Sequence, residues 1–178
     1  MTFKIEESIR QETVQRVAEL MLTAARTAPK AKGIDNLVLA MVTGSDIEKI
    51  ADHMTKIGNR PDGTPSFLRD AENIRKAQAV VLLGTKINSQ GVKLCGRCGF
   101  RDCEEKDKHP GFPCTFNVGD LGIAIGSAVS LAMDHRVDNR VMYTIGQAVL
   151  EMKMLGEEVR IAFGIPLSVS AKSPFFDR

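Results

Sequence analysis

The sequence predicts an α+β fold: a mixed sheet flanked by helices, with a cysteine-rich loop inserted between its elements. Three observations carry this. Short apolar runs at Asn36–Val42, Ala79–Leu83 and Val159–Phe163 lack a helical period and suit buried strands. Segments with an apolar residue every three or four positions separate those runs, as helices between strands would. All four cysteines lie within 84–119, where neither period holds.

From the N-terminus, Glu6–Ala28 reads as a helix whose buried stripe is Val14, Val17, Met21, Ala24 and Ala25. Pro29 ends it by removing a donor and by disfavouring helical geometry in the residue before it. After the first strand, Ser45 and Glu48 have the spacing of a capping box, and Ile47, Ile50, Ala51, Met54 and Ile57 mark the face of a second helix. That helix stops at Gly58, before a turn holding Pro61, Asp62, Gly63 and Pro65. A shorter helix covers Ser66–Lys76, and the second strand follows. Beyond the cysteine stretch, Leu121–Arg136 reads as a helix rich in Gly and Ala, which allow close packing. Asp138 or Asn139 is placed to cap a helix over Arg140–Leu155, ending at Gly156. The third strand follows, and the tail through Pro166 and Pro174 reads as irregular. Neither a repeat nor a linker divides the chain, so 1–178 is expected to form one domain with 84–119 as a loop within it.

The chain has 178 residues, enough to bury roughly 70% of its unfolded surface without staples. Its formal net charge is +2 with both signs interspersed, so there is no basic stripe to grip nucleic acid. With one Tyr and no Trp it also lacks a platform for stacking bases. The first fifteen residues mix Lys4, Glu6, Glu7, Arg10 and Glu12, unlike a secretion signal. The longest uncharged apolar stretch, Leu121–Met133, is short for a bilayer span, so its small residues suggest a packed helix or a dimer seam. The expectation is a soluble cytoplasmic protein that binds neither nucleic acid nor membrane.

Cys95, Cys98, Cys103 and Cys114 have the spacing C-x2-C-x4-C-x10-C. A disulfide framework suits small secreted domains with inadequate cores, which this chain is not. Structural zinc takes four thiolates, but its modules favour two separated pairs, and Cys103 and Cys114 form no second C-x2-C. A [4Fe-4S] cubane needs one outward thiolate per iron, and three bunched ligands plus one distant ligand wrap such a body well. Gly96 and Gly99 directly follow the first two cysteines and allow close backbone approach, while Lys93, Arg97 and Arg101 supply positive charge. His109 is a further potential ligand. Glu104–Lys108 reads as a solvated turn. His53 reads as exposed or satisfied, and His135 as a helix C-terminal residue.

The segment Cys95–Cys103 resembles the C-G-x-C-G-x-x-x-C run of [4Fe-4S] domains in Rnf-type electron-transport subunits and corrinoid iron–sulfur proteins. Those families place the fourth cysteine in a Cys-Pro context; here the order is Pro113-Cys114. The whole chain, through Asp138–Gly146 and Gly164–Phe176, resembles bacterial and archaeal proteins described as containing a ferredoxin domain, which implies a redox class. Ala24–Pro29 is similar to the segment that begins the FMN site of flavin-dependent nitroreductases, and the order of elements suits their α+β fold. That resemblance implies a homodimer with flavin at the subunit interface, its phosphate near Arg26, Lys30 and Lys32. Lys30 and Gly33 depart from the pattern, standing where that family has Ser and Asn.

The sequence therefore points to an iron–sulfur redox protein that exchanges electrons with a partner protein or a small-molecule donor. Oxidoreductase activity with a flavin would extend it. A zinc-stabilised binding or scaffold protein is the alternative.

Overall fold

The computed structural model describes residues 3–176. Helix α1 spans Glu6–Thr27 and buries Val14, Val17, Ala18, Met21 and Ala25 along one stripe. A 3-10 turn at Ala31–Gly33 leads to strand β1, Leu37–Val42, which pairs with β2, Ala79–Lys86. Helices α2, Ser45–Gly58, and α3, Pro65–Ile74, connect the two strands. Between β2 and the long helix α5, Thr115–Asp134, lies only a short helix α4, Cys103–Asp107. A two-residue strand β3, Asp138–Asn139, helix α6, Tyr143–Glu151, and strand β4, Val159–Ser168, complete the fold.

The sheet order is β1-β2-β4-β3, and every pairing is antiparallel, so the expected mixed sheet is antiparallel throughout. β2 is central and buried on both faces, and its period of two splits the core. Val80 and Leu82 pack with α2, α3 and α6, whereas Val81 and Leu83 pack with α1 and α5. Two helical layers thus sandwich one sheet. At the α6–β4 contact the backbones come so close that only glycine fits. A Cβ on Gly146 would lie 1.8 Å from the Ala162 carbonyl oxygen, and one on Gly164 would lie 2.2 Å from the Ile145 side chain.

Several boundaries differ from the sequence expectation. The Ser45–Glu48 capping box does not form. Gly44, at φ 54°, occupies the N-cap position, and the Ile47 N–H bonds its carbonyl at 3.1 Å. Asp138 and Asn139 pair with β4 instead of capping a helix, so α6 begins at Tyr143. β4 runs through Pro166 because the missing donor meets no ladder. Gly164 bonds Met142 on the β3 side, and Pro166 faces that same side, beyond Met142 and short of the Asn139↔Leu167 pair. The tail then folds back, and Phe175 is buried among α2, α3 and α6.

α5 starts six residues before its expected position, because Thr115–Asp120 continue the helix into the cysteine region. At 20 residues it is long and apolar enough to cross a membrane by length and composition. Leu121, Ala124, Ala128 and Ala132 nevertheless face the core, and the Ser127 hydroxyl donates to the Ala24 carbonyl at 3.0 Å. The opposite face presents Val118, Gly119, Gly122, Ile123, Gly126 and Met133 to solvent.

Candidate metal centre

The segment between β2 and α5 leaves the core. No residue from 84 to 120 belongs to either apolar cluster. Polar contacts hold it instead. The Lys106 ammonium, on the buried side of α4, donates to the Ile87 carbonyl at 2.9 Å, just past the end of β2. Buried Gln90 donates to the Ile34 carbonyl at 3.3 Å and to Asp120 at 3.4 Å, while Asp120 accepts the Ala31 N–H at 3.1 Å. Ser89 donates to Asp107 at 2.6 Å. Phe100, His109 and Phe112 form an aromatic trio, with Phe100 and His109 stacked at 5.1 Å.

These anchors bring the cysteines together from three local settings. Cys95 and Cys98 lie in a turn where Leu94, Gly96 and Gly99 have φ of 54°, 56° and 89°. A β-carbon disfavours that left-handed region, which is why glycine follows each of the first two cysteines. Cys103 is the first residue of α4. Asp102 caps that helix by accepting the Glu105 N–H at 2.8 Å, and Glu105 returns the contact to the Arg101 N–H at 2.7 Å. The Glu105 N–H and the Arg101 guanidinium hold the Asp102 carboxyl below the usual carboxylate range. Cys114 is the N-cap residue of α5 and is buried.

All four cysteines are free thiols, and all four line one cavity of about 290 Å³. Lys93, Leu94, Thr115 and Phe116 also line it, as do the acidic residues Asp102 and Glu104. Thiolates around one zinc ion lie roughly 3.8 Å apart, the edge of a tetrahedron with bonds of about 2.3 Å. Among the described residues, no three His, Cys, Asp or Glu side chains are grouped closely enough to hold a single ion. Four sulfur donors on one roomy cavity are a ligand set that an iron–sulfur group takes.

The other sequence candidates fall elsewhere. His109 belongs to the aromatic trio and does not line the cavity. Of the three basic residues expected beside the cysteines, Lys93 is on the cavity wall and Arg101 pairs with Asp102 at 2.9 Å. Glu104–Lys108 is largely α4 rather than a solvated turn, because Lys106 turns inward. His53 is satisfied by Glu151 at 3.0 Å, and His135 is the C-cap residue of α5. Lys30 caps α1. Its ammonium donates to the carbonyls of Ala25, Arg26 and Ala28 at 3.2, 2.7 and 2.7 Å. Arg26 is paired with Asp35 at 2.6 Å, and Lys32 donates to the Gly91 carbonyl at 3.3 Å, tying that loop to the cysteine segment.

The sequence reading missed the residues that anchor the cysteine segment. The spacing of Asp102 and Glu105 is a legible capping box. Gln90, Lys106 and Asp120 carry no local signal, since the partners that tie them to the rest of the fold lie 19 to 89 residues away.

Residues 110–178 match a protein family described as uncharacterized proteins containing a ferredoxin domain. A protein of Archaeoglobus fulgidus, described as uncharacterized, is 40% identical over 180 residues, covering 97% of this chain and 96% of that one. The chain belongs to this ferredoxin-domain family. Solved structures similar to this ferredoxin-domain protein share its fold at low sequence identity. A nitroreductase with bound FMN from Desulfitobacterium hafniense is 13% identical, with a TM-score of 0.60 over 88% of this chain and 78% of that one. A nitroreductase family protein from Clostridium novyi is 16% identical, also at 0.60, over 92% and 77%. A BluB-like flavoprotein from Clostridium difficile is 20% identical at 0.57, over 89% and 83%. The fold is therefore nitroreductase-like, and the family description and the fold together point to redox function.

Proposed function

We propose that this ferredoxin-domain protein is an electron carrier in which Cys95, Cys98, Cys103 and Cys114 hold one [4Fe-4S] cluster. The observation that carries this reading is the convergence of all four thiols on one cavity of about 290 Å³. When bound, such a cluster supplies reversible one-electron transfer. The chain's own part is to bind and tune. The thiolates ligate, the glycine turns let the backbone approach, and Lys93 offsets the negative charge of a four-thiolate site. Free thiols suit a reducing cytoplasm, where the protein would exchange electrons with a redox partner protein or a small-molecule donor. The exposed face of α5, uncharged from Val118 to Met133, supports a homodimer. The nitroreductase-like fold supports a flavin-dependent oxidoreductase activity as the extension of this role.

The test is metal identity in protein handled without oxygen. The proposal expects about four irons and four sulfides per chain, a broad visible absorption and an EPR signal on reduction. One zinc per chain, with no iron after reconstitution, would replace this reading by a zinc-stabilised scaffold.

A further inference from the structure

A second cavity, of about 840 Å³, shares no lining residue with the cysteine cavity and has no part in the redox reading. Four segments build it: the C-terminal half of α3, the connection from α3 to β2, the linker between β3 and α6, and the end of β4 with the tail after it. Its lining includes Arg69, Lys76, Arg140 and Lys172, and among the described residues it includes neither Asp nor Glu. Part of that charge is answered nearby. Arg69 pairs with Asp70 at 2.8 Å, and the C-terminus of α3 presents a partial negative charge toward Lys76. The rest is not. Among the described residues, neither the Lys76 nor the Lys172 ammonium has a hydrogen-bond or ion-pair partner.

Arg140 is fixed in place rather than loose. One of its N–H groups donates to the Phe175 carbonyl at 2.9 Å, and its guanidinium sits over the Phe176 ring, 5.0 Å from the centroid. The tail that carries Lys172 is pinned at both ends, by Gln78 accepting the Val169 N–H at 2.7 Å and by buried Phe175. Ser168, Ser170, Ser173 and Asn73 also line the same space. Among the described residues the residual charge, roughly +2 to +3, matches the roughly −2 of a phosphate monoester, and ammonium and guanidinium donors are groups that recognise phosphate oxygens. The volume suits a small organic molecule.

We propose that this cavity binds an organic phosphate monoester, its phosphate among Lys76, Arg140 and Lys172 and its organic part along Val169 and Pro174. The site stands independently of the metal centre. The test is calorimetric titration of the full chain with inorganic phosphate and with matched pairs, FMN against riboflavin and AMP against adenosine. The site is supported if inorganic phosphate binds and if the phosphorylated member of a pair binds about tenfold or more tightly than its parent. The Lys76→Gln/Lys172→Gln variant should weaken that binding about tenfold while keeping the wild-type melting temperature and iron content. Which pair responds distinguishes a flavin from an adenine nucleotide. Equal affinity within both pairs, absence of phosphate binding, or binding undiminished in the double variant would each overturn the site.

Discussion

Three glycines on the exposed face of α5 give the most direct test of how this chain assembles. At Gly119, Gly122 and Gly126 a Cβ would meet nothing within 4 Å, so the single chain offers no packing reason for glycine. Each costs about 0.8–1.0 kcal/mol relative to alanine in a helix interior, or roughly 2.5–3 kcal/mol for the three. If α5 faced only water, Gly119→Ala/Gly122→Ala/Gly126→Ala would raise the melting temperature by roughly 5–12 °C, at about 2–4 °C per kcal/mol for a chain of this size. If a second copy packs its backbone against this groove, three added methyls overpack the seam, at roughly 1–3 kcal/mol for each crowded position. The homodimer reading expects the second outcome. Sedimentation equilibrium should show a dimer for the wild type and a dissociation constant at least about a hundredfold weaker for the triple variant, equivalent to about 3 kcal/mol. A wild-type monomer, or a triple variant that melts higher with unchanged assembly, would refute the reasoning.

Further predictions follow from single sites. Cys98→Ser and Cys114→Ser should each remove most of the reconstituted iron and its visible absorption, read by iron analysis of anaerobic samples, whereas His109→Ala should retain both. Gly146→Ala should cost about 3 kcal/mol, because its Cβ would lie 1.8 Å from the Ala162 carbonyl oxygen and α6 must move off β4; thermal melts should fall by roughly 6–12 °C. Glu151 is held at about 2 by hydrogen bonds from Arg60, with His53 and Gln147 adding to the effect against burial. A lowered carboxyl pKa stabilises the fold above the unfolded value of 4.5, and that stability is lost as pH falls from there toward 2. Solvent screening limits it to about 1 kcal/mol, so denaturant melts of Glu151→Gln should show a correspondingly smaller loss between neutral pH and pH 3 than the wild type.

The helical layers were legible because their stripes are periodic. Ile47, Ile50, Ala51, Met54 and Ile57 predict the buried face of α2 and are its buried residues. The apolar run of β2 likewise predicts a strand covered on both faces. Where the reading failed, a nonlocal partner decided the outcome. Asp138 and Asn139 look like caps, yet they become a strand because Leu167 and Ser168 lie beside them. Pro166 looks like a strand breaker, yet its missing donor falls opposite a gap in the ladder. The same division holds at the candidate metal centre. The cysteines and the glycines after them stand out in the sequence, because ligand chemistry and left-handed turns restrict residue type locally. Lys106, Gln90 and Asp120 do not, because what makes them structural is a carbonyl or an amide far along the chain.

This separation also explains how a nitroreductase-like frame can carry the cysteine loop. The two apolar clusters close over the sheet without using any residue from 84 to 120, so the core does not depend on that segment. The segment in turn is attached at its margins. Ile87 meets Lys106 near the end of β2, and Asp120 gathers Ala31 and Gln90 at the start of α5. Between those anchors the cysteine turn has no apolar core of its own, only the short α4 and the aromatic trio. A loop with so little buried area gains much of its order from whatever its four thiols bind, and binding free energy at such a site becomes local folding free energy. The frame therefore fixes where the cysteine segment begins and ends, and a group held by the four thiols would set how they close around it.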